Sequence, residues 1–344
     1  MEYHTLGRSG LKVSPACLGT MNFGTTGGVG SCGEPEARRI VDAFLDLGHN
    51  FVDTADAYTG GQSEQILGRA ISGKRASVVL ATKAFLPTGR EPNDRGLSRA
   101  HLTRALEASL RRLGTDYIDL YQCHQWDPHT PIEETLTTLD GFVRAGKVRY
   151  IGCSNFTASQ IVESRWAAER LGLTPFVSLQ PQYSLVARSI EAEILPACER
   201  HGLGTMVWSP LAGGVLAGRY ANQAVPAADS RMGRLLASAA PMARAWAAGL
   251  LNERTLRIAD EVGRVAAEFG VTSTAAALSW VRQRPGITSV IIGPRDLDQL
   301  HGNLEGFTLD LPPDAIDRLD EVSWSPAIIA VTGMALAQQR QPRS

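Results

Sequence analysis

Short apolar runs alternate with amphipathic segments eight times along this chain of 344 residues. The short runs are typical of buried strands, and the longer segments carry apolar residues at helical spacing, as Leu102, Leu106 and Leu110 do. An open sheet seldom needs eight such units, whereas a closed parallel barrel is built from them. The alternation therefore predicts an α/β fold, a (β/α)8 TIM barrel, in preference to a doubly wound sheet.

The sequence also gives approximate bounds for each element. The predicted barrel strands are Ala16–Gly19, Asn50–Asp53, Val78–Lys83, Tyr117–Gln122, Val148–Ser154, Phe176–Gln180, Gly204–Ser209 and Ser289–Gly293. The predicted helices are Pro35–Leu47, Ser63–Ile71, Arg99–Leu113, Ile132–Ala145, Ala158–Leu171, Ile190–His201, Glu253–Phe269, Ser273–Gln283, Leu297–Asn303 and Pro313–Val322. Before them, Tyr3–Leu6 and Leu11–Val13 flank a Gly-containing turn, so residues 1–14 are expected to form a β-hairpin cap.

No linker or repeat splits the pattern, so residues 1–344 are interpreted as a single domain. The longest interruption follows the seventh strand, at residues 211–251, where Gly, Ala, Arg and Pro are frequent. We expect a long loop there, and such a loop in a compact barrel is usually functional or mobile. The C-terminal tail at residues 324–344 would either cover one mouth of the barrel or fray.

Composition argues against several classes of partner. The formal net charge is −1 and the isoelectric point is near 6.7, so no basic field favours nucleic acid or a membrane surface. No run approaches the roughly 18 apolar residues of a membrane span, and the N-terminus lacks the apolar segment of a secretory signal. We therefore expect a cytoplasmic protein. The five scattered cysteines lack C-x-x-C spacing, which favours reduced thiols, and no metal site is expected.

Ionisable side chains stand at the ends of three predicted strands. The second strand ends at Asp53 and is followed by Tyr58, and the third ends at Lys83. The fourth strand leads directly to His124. Parallel α/β enzymes keep their chemistry at the C-terminal ends of their strands, so we expect these four side chains to converge.

These four residue types together suit proton transfer to a carbonyl oxygen. A phenol with a pKa of about 10 is a poor proton donor at neutral pH, but a neighbouring cation such as Lys83 lowers the pKa of Tyr58. A buried lysine tends to lose its proton, and pairing with Asp53 would keep Lys83 charged. His124 could donate a hydrogen bond that orients the carbonyl.

A second motif offers a competing interpretation. The segment Gly28–Gly33 matches the dinucleotide pattern G-x-G-x-x-G, and Asp53 follows about twenty residues later. Its glycines, however, begin some eight residues after the predicted strand end at Gly19, whereas a dinucleotide turn needs glycine at the strand tip. We therefore interpret the segment as a surface loop.

Eight segments, in order along nine-tenths of the chain, resemble the aldo-keto reductase superfamily, and most of all its bacterial members related to potassium-channel β subunits. They are Leu18–Gly24, Asn50–Tyr58, Leu80–Lys83, Tyr117–His124, Gly146–Phe156, Ser178–Leu185, Trp208–Gly218 and Ile291–Asn303. The resemblance implies an NAD(P)H-dependent carbonyl reductase on a (β/α)8 barrel. It also implies that Asp53, Tyr58, Lys83 and His124 are the catalytic residues.

The same resemblance implies a set of cofactor-binding residues. Ser154, Asn155 and Gln180 would hold the nicotinamide carboxamide, and Trp208 would stack on its ring. The segment Ser209–Gly218, with Arg219 and Arg231, would hold the pyrophosphate. The full set is Gly19, Thr20, Met21, Asp53, Ser154, Asn155, Gln180, Trp208, Ser209, Pro210, Leu211, Gly213, Gly218, Arg219, Arg231, Ile292, Gly293, Arg295, Gln299 and Asn303.

The choice of cofactor depends on the eighth strand end. Arg295 suits a 2′-phosphate, because a guanidinium binds phosphate bidentately, so NADPH (NADP+) is expected in preference to NADH. The chain departs from the family pattern at Gly302, where a Glu usually precedes the Asn that contacts adenine. That departure bears on the adenine contact and, less strongly, on the NADP preference.

The substrate is expected to be a small molecule with an aldehyde or ketone group. Phe23, Phe85 and Trp126 are expected to line its pocket beside Tyr58 and His124, with Trp324 and Ile328 as further candidates. Two other functions stay open: a Schiff-base lyase that uses Lys83, and an NADPH-binding sensor or regulatory subunit with slow turnover. A homo-oligomer also stays open.

Overall fold

The computed structural model describes residues 2–25, 31–220, 226–228, 230–239 and 241–324. The chain opens with an antiparallel hairpin of β1 (His4–Thr5) and β2 (Lys12–Val13). Leu6 and Val13 of this hairpin are fully buried among side chains that fill the barrel interior. The predicted N-terminal β-hairpin is confirmed, and its buried residues pack against the barrel interior.

Eight parallel strands form a closed barrel, in which each strand pairs with its neighbours along the chain and the last strand pairs with the first. They are β3 (Ala16–Gly19), β4 (Phe51–Asp53), β5 (Val79–Ala84), β6 (Ile118–Cys123), β7 (Val148–Ser154), β8 (Ser178–Gln180), β9 (Gly204–Val207) and β10 (Ser289–Ile292). At the C-terminal end, Asp53 pairs with Gly19 on one side and with Ala81 on the other. The predicted (β/α)8 TIM barrel is confirmed.

Helices surround this barrel. Within the described residues they are α1 (Glu34–Asp46), α2 (Gln62–Ala70), α3 (Arg99–Leu113), α4 (Ile132–Arg144), α5 (Ala158–Leu171), α6 (Ile194–His201), α7 (Arg231–Leu236), α8 (Pro241–Leu250), α9 (Glu253–Glu268), α10 (Ser273–Arg282), α11 (Leu297–Glu305) and α12 (Pro313–Ser323). Local chemistry fixes their ends: Ser98 caps α3 by accepting a hydrogen bond from the amide of His101, and Gly114 ends it in the left-handed region.

Side-chain alternation along the strands decides what faces the barrel interior. On β5, Val79 and Ala81 belong to the cluster inside the barrel, whereas Leu80 packs in the layer beneath the helices. The same alternation turns Lys83 inward and Thr82 outward. A lysine at this place points into the C-terminal mouth, where the cavity described below opens.

The long segment after β9 is more ordered than the sequence predicted. It contains a short 3-10 turn at Ala212–Gly214 and the helices α7 and α8, rather than one long loop. Ser230 begins α7 by accepting a hydrogen bond from the amide of Gly233, and α8 is rich in alanine, the best helix former. None of the helices in the described ranges is long and apolar enough to cross a membrane.

Several expectations concern residues near the chain ends. Trp324 lies with its ring 5.3 Å from the guanidinium carbon of Arg188. Ile328, the rest of the C-terminal tail and Gly28–Gly30 of the rejected dinucleotide motif lie outside the described residues. All five cysteines are buried free thiols, which agrees with the expected reduced state.

Candidate active site

A cavity of about 650 Å³ opens at the C-terminal mouth of the barrel. Asp53, Tyr58 and His124 line it, and the fully buried Lys83 lies directly behind them. The structure therefore brings together the four ionisable residues that the strand ends suggested. Nineteen of the twenty residues expected at the cofactor also line this cavity, and Gly218 is the exception.

Lys83 forms hydrogen bonds to two of the other three residues, Asp53 and Tyr58. Its ammonium donates hydrogen bonds to Asp53 Oδ2 at 2.6 Å, to the carbonyl oxygen of Thr54 at 2.6 Å and to the phenol oxygen of Tyr58 at 3.1 Å. Burial lowers the pKa of Lys83, but Asp53 and Tyr58 raise it by more, so its pKa lies above the ordinary 10.5. Lys83 is thus a charged donor whose three N–H groups are all engaged.

Two glutamines complete the surroundings of Asp53. The side-chain amides of Gln122 and Gln180 donate to Asp53 Oδ1 over 3.0 and 2.9 Å. Sequence reasoning placed Gln180 at the nicotinamide carboxamide and missed Gln122. The alternation along β6 could have revealed it, since Gln122 faces inward with Leu120, while Tyr121 faces the helices.

Tyr58 lies on the wall of the cavity, with its ring partly exposed and its hydroxyl against Lys83. Burial of the hydroxyl raises the pKa of Tyr58 above its ordinary 10.0, while Lys83 opposes that rise and Asp53 adds to it. The sequence argument expected a net lowering of this pKa, and that direction is wrong for the cavity as it stands because burial outweighs the lysine. The phenol is consequently protonated at neutral pH, so it has a proton to donate.

His124 meets Tyr58 edge to face, with ring centroids 5.8 Å apart. Burial, assisted by the charge of Lys83, lowers the pKa of His124 to about 3. Its Nδ1 is buried without a hydrogen-bond partner in the part of the chain that the structure describes. The imidazole is therefore neutral at pH 7 and carries one N–H that can donate to an oxygen.

A second polar group, formed by Ser154, Asn155 and Trp208, spans the ends of β7 and β9. The indole N–H of Trp208 donates to the side-chain oxygen of Asn155 over 3.0 Å. The Asn155 amide donates in turn to the carbonyl oxygen of His124 at 3.2 Å and to the Ser154 hydroxyl at 3.0 Å. These contacts hold Trp208 and Asn155 in fixed positions on the cavity wall.

The loop after β3 approaches the cavity from the other side. Gly19, Thr20 and Met21 line it, together with Asn22, which sequence reasoning did not single out. A Cβ on Gly19 would lie 2.6 Å from Ile291 Cγ2, so only glycine fits here. Asn22 donates to the carbonyl oxygen of Pro294 over 2.7 Å and joins this loop to the segment after β10.

The backbone after β9 bends sharply into the cavity. Ser209, Pro210, Leu211 and Gly213 line it, and Ser209 and Gly213 have φ values of 59° and 66°. The positive φ of Gly213 explains the glycine, because L side chains rarely adopt this conformation, whereas Met232 Cε beside it ends a flexible side chain that could move. Such turns leave backbone N–H groups free to approach an anion closely.

Four arginines line the same cavity: Arg219, Arg231, Arg234 and Arg295. Burial lowers the pKa of Arg231, and its Nε is buried without a hydrogen-bond partner among the described residues. An unsatisfied buried guanidinium nitrogen is costly unless a ligand binds it. Together with the turns after β9, these arginines form a site suited to phosphate groups.

The far end of the cavity is formed by β10 and the start of α11. Ile292, Gly293, Arg295, Gln299 and Asn303 line it as expected, along with Thr272, Thr274, Asp298 and Gly302. Asp296 caps α11 by accepting a 2.8 Å hydrogen bond from the Gln299 amide, and its other oxygen accepts from the Gln299 side chain at 2.7 Å. A Cβ on Gly302 would meet nothing within 4 Å, so the missing side chain leaves open space.

The three aromatic residues expected to line a substrate pocket beside Tyr58 and His124 lie away from the cavity that those two residues line. Phe23 is fully buried in the core, while Phe85 and Trp126 are partly buried against it, and none of the three lines the cavity. Trp126 packs edge to face on Phe156 at 5.2 Å. Their neighbours Leu86 and Gln125 line the cavity instead, because adjacent residues of a loop point in different directions.

Comparison with known proteins agrees with this geometry. A family model described as the aldo/keto reductase family matches residues 15–323. An uncharacterized oxidoreductase, YrpG, of Bacillus subtilis is 39% identical, with 95% of this chain and 97% of that protein covered. A probable voltage-gated potassium channel subunit beta of Oryza sativa is 37% identical over 94% of this chain and 97% of that protein. A norsolorinic acid reductase of Aspergillus flavus is 33% identical over 93% of this chain and 81% of that protein.

Proposed function

Because the chain belongs to the aldo/keto reductase family, we propose that it reduces an aldehyde or ketone to an alcohol with NADPH, using Tyr58 as the proton donor. The family and its oxidoreductase relatives support an NAD(P)H-dependent oxidoreductase that acts on carbonyl groups. The assignment of roles to individual residues, and of NADPH over NADH, is the content of the proposal.

The observation that carries the proposal is the chain of contacts from Asp53 through Lys83 to the Tyr58 hydroxyl. A protonated phenol beside a lysine cation can donate its proton to a carbonyl oxygen, and the cation stabilises the phenolate that remains. Asp53 keeps Lys83 charged, since a lone ammonium in this buried place would lose its proton. The neutral His124 supplies a second hydrogen bond to the carbonyl and so orients it toward Tyr58.

The residues around the cavity fit a nicotinamide dinucleotide. Ser154, Asn155 and Trp208 would hold the nicotinamide end, and the turns after β9 with Arg231 would hold the pyrophosphate. When bound, the nicotinamide supplies the hydride that the carbonyl carbon accepts. The side-chain nitrogen of Gln180 is engaged with Asp53 and Gln122, so Gln180 would contact the carboxamide through its side-chain oxygen, as an acceptor.

Two features of the cavity favour NADPH over NADH. NADPH carries one phosphate more than NADH, and the described residues that line the cavity include four arginines against the two carboxylates of Asp53 and Asp298. Arg295 lies just before the first turn of α11, its guanidinium has no salt bridge within the described residues, and it can bind a 2′-phosphate bidentately. The NADPH preference rests on this local excess of positive charge.

A panel of aldehydes and ketones tests the proposed activity. Oxidation of NADPH should follow addition of a substrate, and the corresponding alcohol should reduce NADP+ in the reverse direction. The panel should include sugar-like, polyketide-like and steroid-like carbonyls, because Leu86 and Gln125 offer both apolar and polar contacts. Cofactor binding without turnover on any member would contradict the proposed reductase.

One relative's name favours a second candidate function. The similarity to a potassium channel subunit beta fits a regulatory subunit that binds NADPH and turns over slowly. This version predicts tight retention of NADPH and negligible turnover across the same panel.

The third candidate, a Schiff-base lyase, is disfavoured because Lys83 is buried and its ammonium is fully engaged in hydrogen bonds. Borohydride trapping with substrate would detect a Schiff base on Lys83.

A further inference from the structure

Asp56 carries a carboxyl group that the proposed mechanism does not use. Its side chain is 2% exposed, and neither carboxyl oxygen has a hydrogen-bond partner in the described part of the chain. The Ala57 amide is near enough to act on the carboxyl but not in hydrogen-bond geometry. A buried ionised carboxylate without donors is very costly, so this environment needs an explanation.

The positive charges near Asp56 are already paired with two other carboxylates, Asp53 and Glu64, and none of the described ones is left to balance a third. Among the described residues, the ionisable groups that act on it most strongly are Glu64 on α2, Arg112 on α3 and Lys83 on β5, and Tyr121 on β6 also faces it. Lys83 is already paired with Asp53 at 2.6 Å, and Arg112 with Glu64 at 2.7 Å.

The oxygens of Glu64, a fully buried residue, are both used. One accepts from Arg112 and the other accepts from the Thr82 hydroxyl at 2.6 Å. The hydroxyl of Tyr121, a further buried group, has no partner among the described residues. Each of the two cations thus has its own carboxylate, and neither is left for Asp56.

Asp56 also occupies a sensitive place. It belongs to the segment at residues 54–61, which we term the catalytic loop because it carries Tyr58. Its amide donates to the carbonyl oxygen of Lys83 over 3.1 Å, and the Tyr58 amide donates to Ala55 over 3.2 Å. The backbone at Asp56 thus ties the catalytic loop to the barrel wall, and its buried side chain lies near Glu64 of α2 and Arg112 of α3.

We propose that Asp56 is a positioning residue, which stays a neutral carboxylic acid at pH 7 and in that form holds Tyr58 against Lys83. Ionisation would drive the carboxyl toward water, would loosen the loop and would place a negative charge near the Lys83–Asp53 pair. The pKa of Asp56 agrees with this charge count: burial and the neighbouring Glu64 raise it to about 8, against opposition from Arg112, the Ala57 amide and Lys83. The part of the proposal that concerns turnover rests on the proposed function.

Asp56→Asn tests the neutral state without any substrate. The variant keeps the shape and removes the ionisable group, and Asp116→Asn, at an exposed site near the opposite barrel mouth, is the matched control. Infrared spectra at pH 7 should contain the carbonyl stretch of a protonated carboxylic acid in the parent protein and in the control, and should lose it in Asp56→Asn. A carboxylic-acid band of equal intensity in all three proteins would show that Asp56 is ionised, and would overturn the proposal.

Thermal unfolding gives a second readout that needs no activity. A carboxyl whose folded pKa is raised costs stability as pH increases from about 4 to about 8, because the unfolded chain loses the proton first. Asp56→Asn should therefore exceed the parent Tm by a margin that widens over this range, reaching at least about 3 °C. A margin that does not change with pH would count against the proposal.

The third readout is the pH profile of kcat/KM. As the pH rises, kcat/KM of the parent should fall with a midpoint near pH 8. In Asp56→Asn this alkaline midpoint should lie at least one pH unit higher, and kcat/KM at pH 7 should stay within about threefold of the parent value. If kcat/KM at pH 7 fell by more than about tenfold and the alkaline midpoint did not move, the Asp56 carboxyl would act in its ionised form, against the proposal. Should Asp56→Asn not fold, Asp56→Leu serves, since a neutral acid without partners should tolerate a hydrocarbon.

The three readouts separate the two proposals from each other. If no carbonyl substrate is found, the infrared and unfolding measurements still decide whether Asp56 is neutral. If turnover is found but those two measurements show an ionised Asp56, the reductase stands and the positioning role falls.

Discussion

The ammonium of Lys83 lies 2.6 Å from Asp53 Oδ2, and the two side chains are 0% and 4% exposed. Replacing one member of such a buried pair leaves the other as an unpaired charge, which typically costs about 3–5 kcal/mol of stability. In this barrel the pair also supports the phenol of Tyr58. The same contact therefore links the stability of the fold to its chemistry.

Lys83→Met should abolish carbonyl reduction and lower the Tm, because Tyr58 loses its cation and Asp53 is left buried without a counter-charge. The double variant Lys83→Met with Asp53→Asn should recover most of the Tm but none of the activity. Both quantities can be followed by calorimetry and by NADPH absorbance. Full activity in Lys83→Met, with an unchanged pH profile, would contradict the role given to Lys83.

Tyr58→Phe should leave cofactor binding intact and reduce kcat, because only the transferable proton is removed. Loss of a positioned general acid typically costs about 10²–10⁴-fold in rate. Stopped-flow reduction at saturating NADPH measures this step, and fluorescence quenching measures the cofactor Kd. Near-normal turnover by the variant would exclude Tyr58 as the proton donor.

Gln122→Leu should lower kcat with little change in the Kd of the cofactor. The variant leaves Asp53 Oδ1 with a single donor, Gln180, and a hydrogen bond to a charged group is worth about 1.5–3 kcal/mol. We expect a loss of roughly tenfold to a hundredfold in kcat. If the cofactor Kd rose as much as kcat fell, Gln122 would be shaping the cavity as a whole rather than supporting Asp53.

Much of the fold could be predicted because local signals agree with the barrel. The strand Val148–Ser154 and the helix Ala158–Leu171 have the predicted bounds. At Thr157 a capping box marks the helix start, and Gly172 in the left-handed region marks its end. The segment at residues 211–251 was less predictable, since its frequent glycines and prolines indicated a loop, whereas its described residues include the helices α7 and α8.

The site was predictable where residue type and position in a strand suffice. Strand ends predicted that Asp53, Lys83 and His124 would be neighbours, because parallel strands bring their ends to one mouth. The direction of the Tyr58 pKa depended on how deeply the hydroxyl is buried, which no local pattern encodes. The same holds for Phe23, whose orientation toward the core follows from the packing around it.

His124 should make the protein sensitive to acid. A histidine whose pKa is lowered to about 3 when folded, from 6.5, costs stability as pH falls below 6.5, because the unfolded chain binds the proton first. Between pH 6.5 and pH 4, the free energy of unfolding should therefore fall by roughly 2–4 kcal/mol less in His124→Gln than in the parent protein, at about 1.4 kcal/mol per pKa unit. His301→Gln, at an exposed site on α11, is the control. Equal pH profiles for His124→Gln and the parent protein would refute this account.

Arg295→Ala should weaken NADPH binding and hardly change NADH binding. The two cofactors differ only in the 2′-phosphate, so discrimination must come from groups beside it, and Arg295 lines the cavity at the start of α11. A charge-assisted hydrogen bond is worth roughly 1.5–3 kcal/mol, which corresponds to one to two powers of ten in Kd. Titration of both cofactors against the parent, Arg295→Ala and the exposed control Arg111→Ala measures the difference. Equal losses for NADPH and NADH would mean that Arg295 supports the loop instead of binding the phosphate, and the arginine excess would then have to act through Arg219, Arg231 or Arg234.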